Sequence, residues 1–183
     1  MSDRTFVTGF GAFGSVTDNP SAKLAEACGR PFQILEVAYL AADEFLAGLN
    51  PEAFDRLLML GVASGRDRVT PELFARNFIG PAKDVRGYVA EGAIEEGTPL
   101  LFESTLWTPE VVSEIVAYDP HTKISMDAGE YLCNYFSYRA LQRFPDKRVG
   151  FLHVPAVEKL PLEVQKVTLG RILGLIEGGA SPT

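Results

Sequence analysis

Histidine and cysteine are scarce in this chain, two of each: His121 and His153, Cys28 and Cys133. The scarcity excludes whole classes of chemistry. Structural and catalytic zinc sites draw on clustered Cys and His, and no such cluster occurs, so no metal and no cofactor is expected. Two cysteines allow one disulfide at most. No secretory signal is visible ahead of the first strand-like run, so free thiols and a cytoplasmic location are the expectation, with Cys28 a buried helix residue. No apolar run is long enough to span a bilayer. Basic residues are few as well, 17 against 24 acidic, and scattered, giving a net charge of -7. Neither nucleic acid nor an anionic membrane is therefore an expected partner.

What the chain does have is apolar content: 46% of its 183 residues, enough for one substantial core. Strand-like runs fall at Thr5–Thr8, Phe32–Tyr39, Arg56–Leu60, Leu73–Phe78, Lys123–Met126 and Val149–Val154. Helical patterns fall at Ser21–Cys28, Ala41–Leu49, Pro109–Ala117, Gly129–Arg143 and Leu162–Glu177. The alternation predicts an α/β fold: a single three-layer α/β/α domain over residues 1–183 with a central, largely parallel or mixed sheet. No repeat or linker divides it, and the chain past about 179 is expected to be flexible. The stretch from Ile79 to Pro99, with Gly80, Pro81, Gly87, Gly92 and Gly97, reads as a long surface excursion of the kind that covers a substrate or an interface.

Three segments carry chemistry. Ser125-Met126-Asp127-Ala128-Gly129-Glu130-Tyr131-Leu132-Cys133-Asn134 places a thiol in the first turn of a helix, where unpaired N–H groups and the helix dipole stabilise thiolate. The plain alternative for Cys133 is a small helix residue in the core. A second feature argues against that: Val149-Gly150-Phe151-Leu152-His153-Val154-Pro155 reads as a strand ending in a histidine, the natural partner of such a thiol. In Gly61–Asn77, Glu72, set beside Leu73 and Phe74, is a candidate to orient the imidazole. Alone, a glutamate after Thr-Pro is more often a surface residue.

Gly9-Phe10-Gly11-Ala12-Phe13-Gly14 also spells the dinucleotide fingerprint. That motif needs a helix opening at the glycines, whereas Ser15–Asn19 is a polar loop and the helix is expected near Pro20 or Ser21. Glu36, the candidate ribose ligand, falls mid-strand. Nucleotide binding is not the favoured reading.

Taken together these segments resemble the pyroglutamyl-peptidase (pyrrolidone-carboxylate peptidase) family of cysteine peptidases. Every fixed position of that family's nucleophile signature is met from Ser125 to Asn134. Gly61, Thr70, Glu72, Ala75 and Asn77 keep the spacing of its glutamate segment, and Phe151–Pro155 is similar to its histidine strand. The opening Val7–Gly14 through Asn19-Pro20-Ser21 also matches. The resemblance implies a Cys133, His153, Glu72 triad and a homo-oligomer. It further implies a lactam pocket walled by Phe10 and Phe13, with Tyr131 and Leu132 beside the nucleophile and Asn19 anchoring loop or pocket. For Asn19 a turn or helix N-cap role is as good a reading. Val62 stands where the family usually carries glutamine, and Pro81–Arg86 replaces its Ala-Arg-Ile-Pro-Asp stretch. The expected substrate is therefore a peptide or a small N-acyl amide. Two other readings stay open: a divergent thiol amidohydrolase for another N-acyl group, and a non-catalytic ligand-binding or assembly protein of the same fold.

Overall fold

The computed structural model describes residues 4–178, so the chain past about 179 lies outside the described residues. Its centre is a five-stranded sheet in the order β2-β1-β3-β7-β4, built from β1 (Thr5–Phe10), β2 (Phe32–Leu35), β3 (Arg56–Val62), β4 (Thr70–Glu72) and β7 (Arg148–Val154). β1, β2, β3 and β7 run parallel, and β4 joins β7 antiparallel, so the sheet is mixed. A ribbon of β5 (Phe74–Arg76) and β6 (Leu101–Glu103) stands apart.

β3 is apolar at nearly every position because both its faces are covered. Leu57 and Met59 join Phe10, Val149 and Phe151 beneath α2 (Tyr39–Gly48) and α4 (Leu132–Arg143). Leu58 and Leu60 join Val7, Leu152 and Val154 beneath α1 (Pro20–Ala27), α3 (Pro109–Tyr118) and α5 (Leu162–Ile176). The strand alternation thus sorts one sequence into two cores. Three layers result, as the alternation of elements predicts. Among the described residues no helix is long and apolar enough to cross a membrane.

Several boundaries differ from the sequence reading. The strand expected over Phe32–Tyr39 stops at Leu35, and α2 opens at Tyr39 rather than Ala41. A remote side chain causes this: Asp84 accepts the Tyr39 backbone N–H at 3.2 Å, supplying a cap that Ala38 cannot. The run Leu73–Phe78 is not one strand. Thr70–Glu72 belongs to the main sheet and Phe74–Arg76 to the ribbon. Pro71 argues against a strand, yet β4 sits at the sheet edge, where a missing N–H is tolerated. Lys123–Met126 forms no strand; it contributes one isolated bridge, Ser125 with Glu72, next to a second from Thr122 to Val69. The helix expected from Gly129 begins at Leu132.

The excursion after Ile79 is stitched down rather than loose. Ile79 and Gly92 exchange backbone hydrogen bonds, and Asn77 holds the Glu95 backbone through both its side-chain groups. The dinucleotide reading finds no support in the geometry. α1 opens at Pro20, and Gly9 is needed for close packing, since a Cβ there would stand 2.5 Å from the Ser21 carbonyl oxygen. Glu36 lies just past the end of β2 and pairs with Arg86 at 2.5 Å.

Candidate active site

Alternation along β7 puts Phe151 and His153 on the face covered by α4, at the carboxyl end of the parallel strands. Antiparallel register then sets Thr70 opposite His153 and Glu72 opposite Phe151, on that same face. Glu72 Oε1 lies 2.7 Å from His153 Nδ1, with the carboxylate side chain fully buried and the imidazole 5% exposed. With Nδ1–H given to Glu72, Nε2 is the nitrogen left to face a thiol.

That thiol is Cys133, the second residue of α4. Tyr131 precedes the helix without a side-chain cap, so the first-turn N–H groups stay available beside Sγ. Gly61 makes the approach feasible. A Cβ there would meet Phe151 Cζ at 2.6 Å and Cys133 Sγ at 3.0 Å, so any side chain at the end of β3 would displace the thiol's surroundings. Asn134, wholly buried, fixes the helix start from the other side. Its amide accepts the Arg76 N–H at 2.8 Å and donates to the Arg76 and Phe78 carbonyls at 2.9 Å.

The charge state follows from these contacts. Burial works against the His153 imidazolium and is the largest single influence on it. The Cys133 charge, a hydrogen bond to Cys133 and the contact with Glu72 together outweigh burial and lift the pKa to about 9. Because this folded value lies above the unfolded one, the associated stability is full below about pH 6.5 and is lost as pH rises through about 9. We expect stability to fall across that window. Urea unfolding at pH 6.5 and 9.5 checks this, and the pH difference should shrink sharply in His153→Ala.

Above Cys133 opens a cleft of about 440 Å³. Phe10, Phe13, Val37, Val62, Tyr131 and Leu132 supply its apolar walls, with Ser64, Arg66, Asp127 and Glu130 at the polar side. The structure therefore brings Phe10, Phe13, Asn19, Val62, Tyr131, Leu132, Cys133 and His153 to one cavity, and Glu72 behind His153. Asn19 serves both readings at once. It lines the cleft, caps α1 through Ser21 N–H at 3.0 Å, and donates to the Gly11 carbonyl at 2.9 Å, which holds the Phe10–Phe13 loop. Tyr131 donates its hydroxyl to the Lys83 carbonyl at 2.9 Å, tying the long excursion to the cleft wall. Cys28 is remote in kind: a half-buried C-cap of α1 that hydrogen-bonds the Ala25 carbonyl, its pKa raised by burial.

Sequence reasoning gave no role to Arg66, Val37 or the side chain of Asn134. Of these, Arg66 had a usable signal, because a buried carboxylate needs compensating charge and Arg66 lies six residues before Glu72. The basic residue of the cleft is Arg66, rather than Lys83 or Arg86 of the divergent stretch.

A buried carboxylate–imidazole pair under a thiol at a helix start, at the carboxyl edge of an α/β sheet, is a cysteine-hydrolase arrangement. The chain belongs to the pyroglutamyl peptidase family, whose model matches residues 3–170. It is 37% identical over 125 residues to a pyrrolidone-carboxylate peptidase of Oceanobacillus iheyensis, a match covering 65% of this chain and 61% of that protein. A second pyrrolidone-carboxylate peptidase, from Halalkalibacterium halodurans, is 29% identical over 178 residues, 87% of each protein. Among solved structures, pyrrolidone carboxyl peptidase from Thermus thermophilus superposes with a TM-score of 0.81 at 34% identity, covering 92% of this chain and 98% of that one.

Proposed function

We propose that the protein is a cysteine exopeptidase that removes N-terminal pyroglutamyl groups through Cys133, His153 and Glu72. The observation that carries this is the 2.7 Å Glu72–His153 contact, buried beneath a cleft whose floor holds Cys133. Cys133 thiolate attacks the pyroglutamyl carbonyl carbon, and the C=O electron pair moves to oxygen. First-turn N–H groups of α4 receive that oxyanion. His153 then gives its Nε2 proton to the departing amine as the C–N bond breaks, leaving a thioester on Cys133. Water, losing a proton to His153, hydrolyses the thioester and releases the free acid. Both thiols in the structure are free, which suits a reducing cytoplasm.

The walls fit a neutral, flat ring. Phe10, Phe13, Val37 and Leu132 are apolar. An ammonium seated among them, rather than at the polar side with Asp127 and Glu130, would be desolvated at high cost, and an unblocked glutaminyl or glutamyl N-terminus is disfavoured. Purified protein should therefore cleave pyroglutamyl-coumarin amide and refuse the unblocked glutaminyl and glutamyl amides. Preferred cleavage of an unblocked substrate would overturn the pocket assignment.

Val62 favours weighing a second reading, since an apolar side chain lines the cleft where relatives of the resembled family carry glutamine. Under the favoured reading, Val62→Gln adds one hydrogen bond to the lactam and lowers KM by up to about tenfold, on the order of 1 kcal/mol. A panel of N-acyl amides checks this. Faster turnover of another acyl group by the parent protein, with no gain from Val62→Gln, would support the divergent amidohydrolase.

A further inference from the structure

Glu72 has an unusual pattern of contacts. Oε1 meets both His153 Nδ1 and the guanidinium of Arg66, while Oε2 is buried without a hydrogen-bond partner. Arg66 also reaches further. The same Nη1 donates to Thr70 Oγ1, and Nη2 donates to the Asp127 carbonyl at 2.8 Å. One side chain, 29% exposed at the cleft rim, thereby joins the loop after β3, the strand β4 and the turn that delivers Cys133 to α4.

We infer that Arg66 is a positioning residue that sets the pH window of the Cys133–His153 pair and holds the pair in register. The inference rests on the relay proposed above. Because the guanidinium and the imidazole share one carboxylate oxygen, positive charge on Arg66 weakens what Glu72 gives the imidazolium. It also favours thiolate over thiol at Cys133. Both effects lower the pH at which the pair forms and the pH at which it is lost.

Other groups face the pair. Glu72 comes from β4; Tyr39 from α2 and Tyr131 ahead of α4 lie within charge range of Cys133, and burial holds Tyr39 up at about 12, so it stays neutral. Asp127 and Glu130 share the rim, and Arg76 draws on both, at 2.7 Å and 4.0 Å. Asp67 and Arg68 follow Arg66 in the chain and are exposed, and Lys159 Nζ donates to the Gly65 carbonyl at 2.9 Å. Among the described residues, the cation in direct contact with Glu72, apart from His153 when protonated, is Arg66.

The test reads the thiol directly. In a Cys28→Ser background, the rate of iodoacetamide alkylation of Cys133 is followed against pH for the parent, Arg66→Met and Arg66→Lys. Arg66→Met should move the acidic limb to higher pH by on the order of one unit. Arg66→Lys should return most of that shift, because charge is restored. Its kcat on a pyroglutamyl amide should stay about tenfold low with KM little changed, since one ammonium cannot span three acceptors. Superposed profiles for parent and Arg66→Met would overturn the proposal. So would an Arg66→Lys profile displaced as far as that of Arg66→Met, which would make Arg66 a strap for the loop and nothing more. Failure in either form with Cys133→Ala inactive overturns the Arg66 assignment alone. Full turnover by Cys133→Ala overturns the relay, and this inference with it.

Discussion

Cys133→Ala should lose turnover of a pyroglutamyl amide by about 10⁴-fold or more, while Cys28→Ser stays within about twofold of the parent. The contrast comes from position. Cys133 sits in an uncapped first helical turn, on the floor of the cleft and within reach of an imidazole. Cys28 ends α1, bonded to a backbone carbonyl, with burial raising its pKa. Cys133→Ser should be nearly as inactive as Cys133→Ala, because a hydroxyl at this site is a far weaker nucleophile than a thiolate held beside an imidazolium. Steady-state kinetics on the three variants, with circular dichroism to confirm folding, decides the matter. Equal losses from Cys28→Ser and Cys133→Ala would show the nucleophile to be misassigned.

His153→Ala should cost about 10³–10⁴-fold in kcat, since the thiol loses its base and the leaving amine its acid. Glu72→Gln is expected to be milder, about 10²-fold. An amide oxygen can still accept from Nδ1, but it cannot balance the imidazolium, and its NH₂ group would oppose the Arg66 guanidinium or the ring if the amide turned over. The pH profile should separate the two roles. In the parent, activity should decline as pH passes about 9 and the imidazolium deprotonates. In Glu72→Gln that decline should begin at lower pH, because one of the contacts that raises the His153 pKa is weakened. An unchanged profile with full activity in Glu72→Gln would reduce Glu72 to a structural role.

The elements that carry this chemistry differ in how far the sequence exposes them. Cys133 and His153 were legible because each combines a reactive residue type with a local signal, a helix start or a strand end, and because each type occurs only twice. The layers were legible for a similar reason: apart from Arg56, Arg148 and His153, β3 and β7 carry only apolar residues and glycine, which is how strands covered on both faces read. β4 was not legible. Three residues with a proline in the middle carry no periodic signal, and only the free edge of β7 makes a strand of them. Lys123–Met126 failed the other way. Its apolar character suggested a strand, but only Ser125 of the segment makes a bridge, to Glu72.

The sequence by itself determined the α/β alternation, the thiol at a helix start, the histidine at a strand end and the family. All of these rest on patterns within a few residues of chain or on spacings a motif preserves. The tertiary structure alone decided what touches what. Register placed Glu72 across from β7, a glycine at the end of β3 left room for Sγ, and Asp84, 45 residues away, set where α2 begins. It also decided that one carboxylate oxygen answers to both His153 and Arg66. Such contacts join residues far apart in the chain. Their energies depend on burial and distance, which no local pattern of residue types encodes.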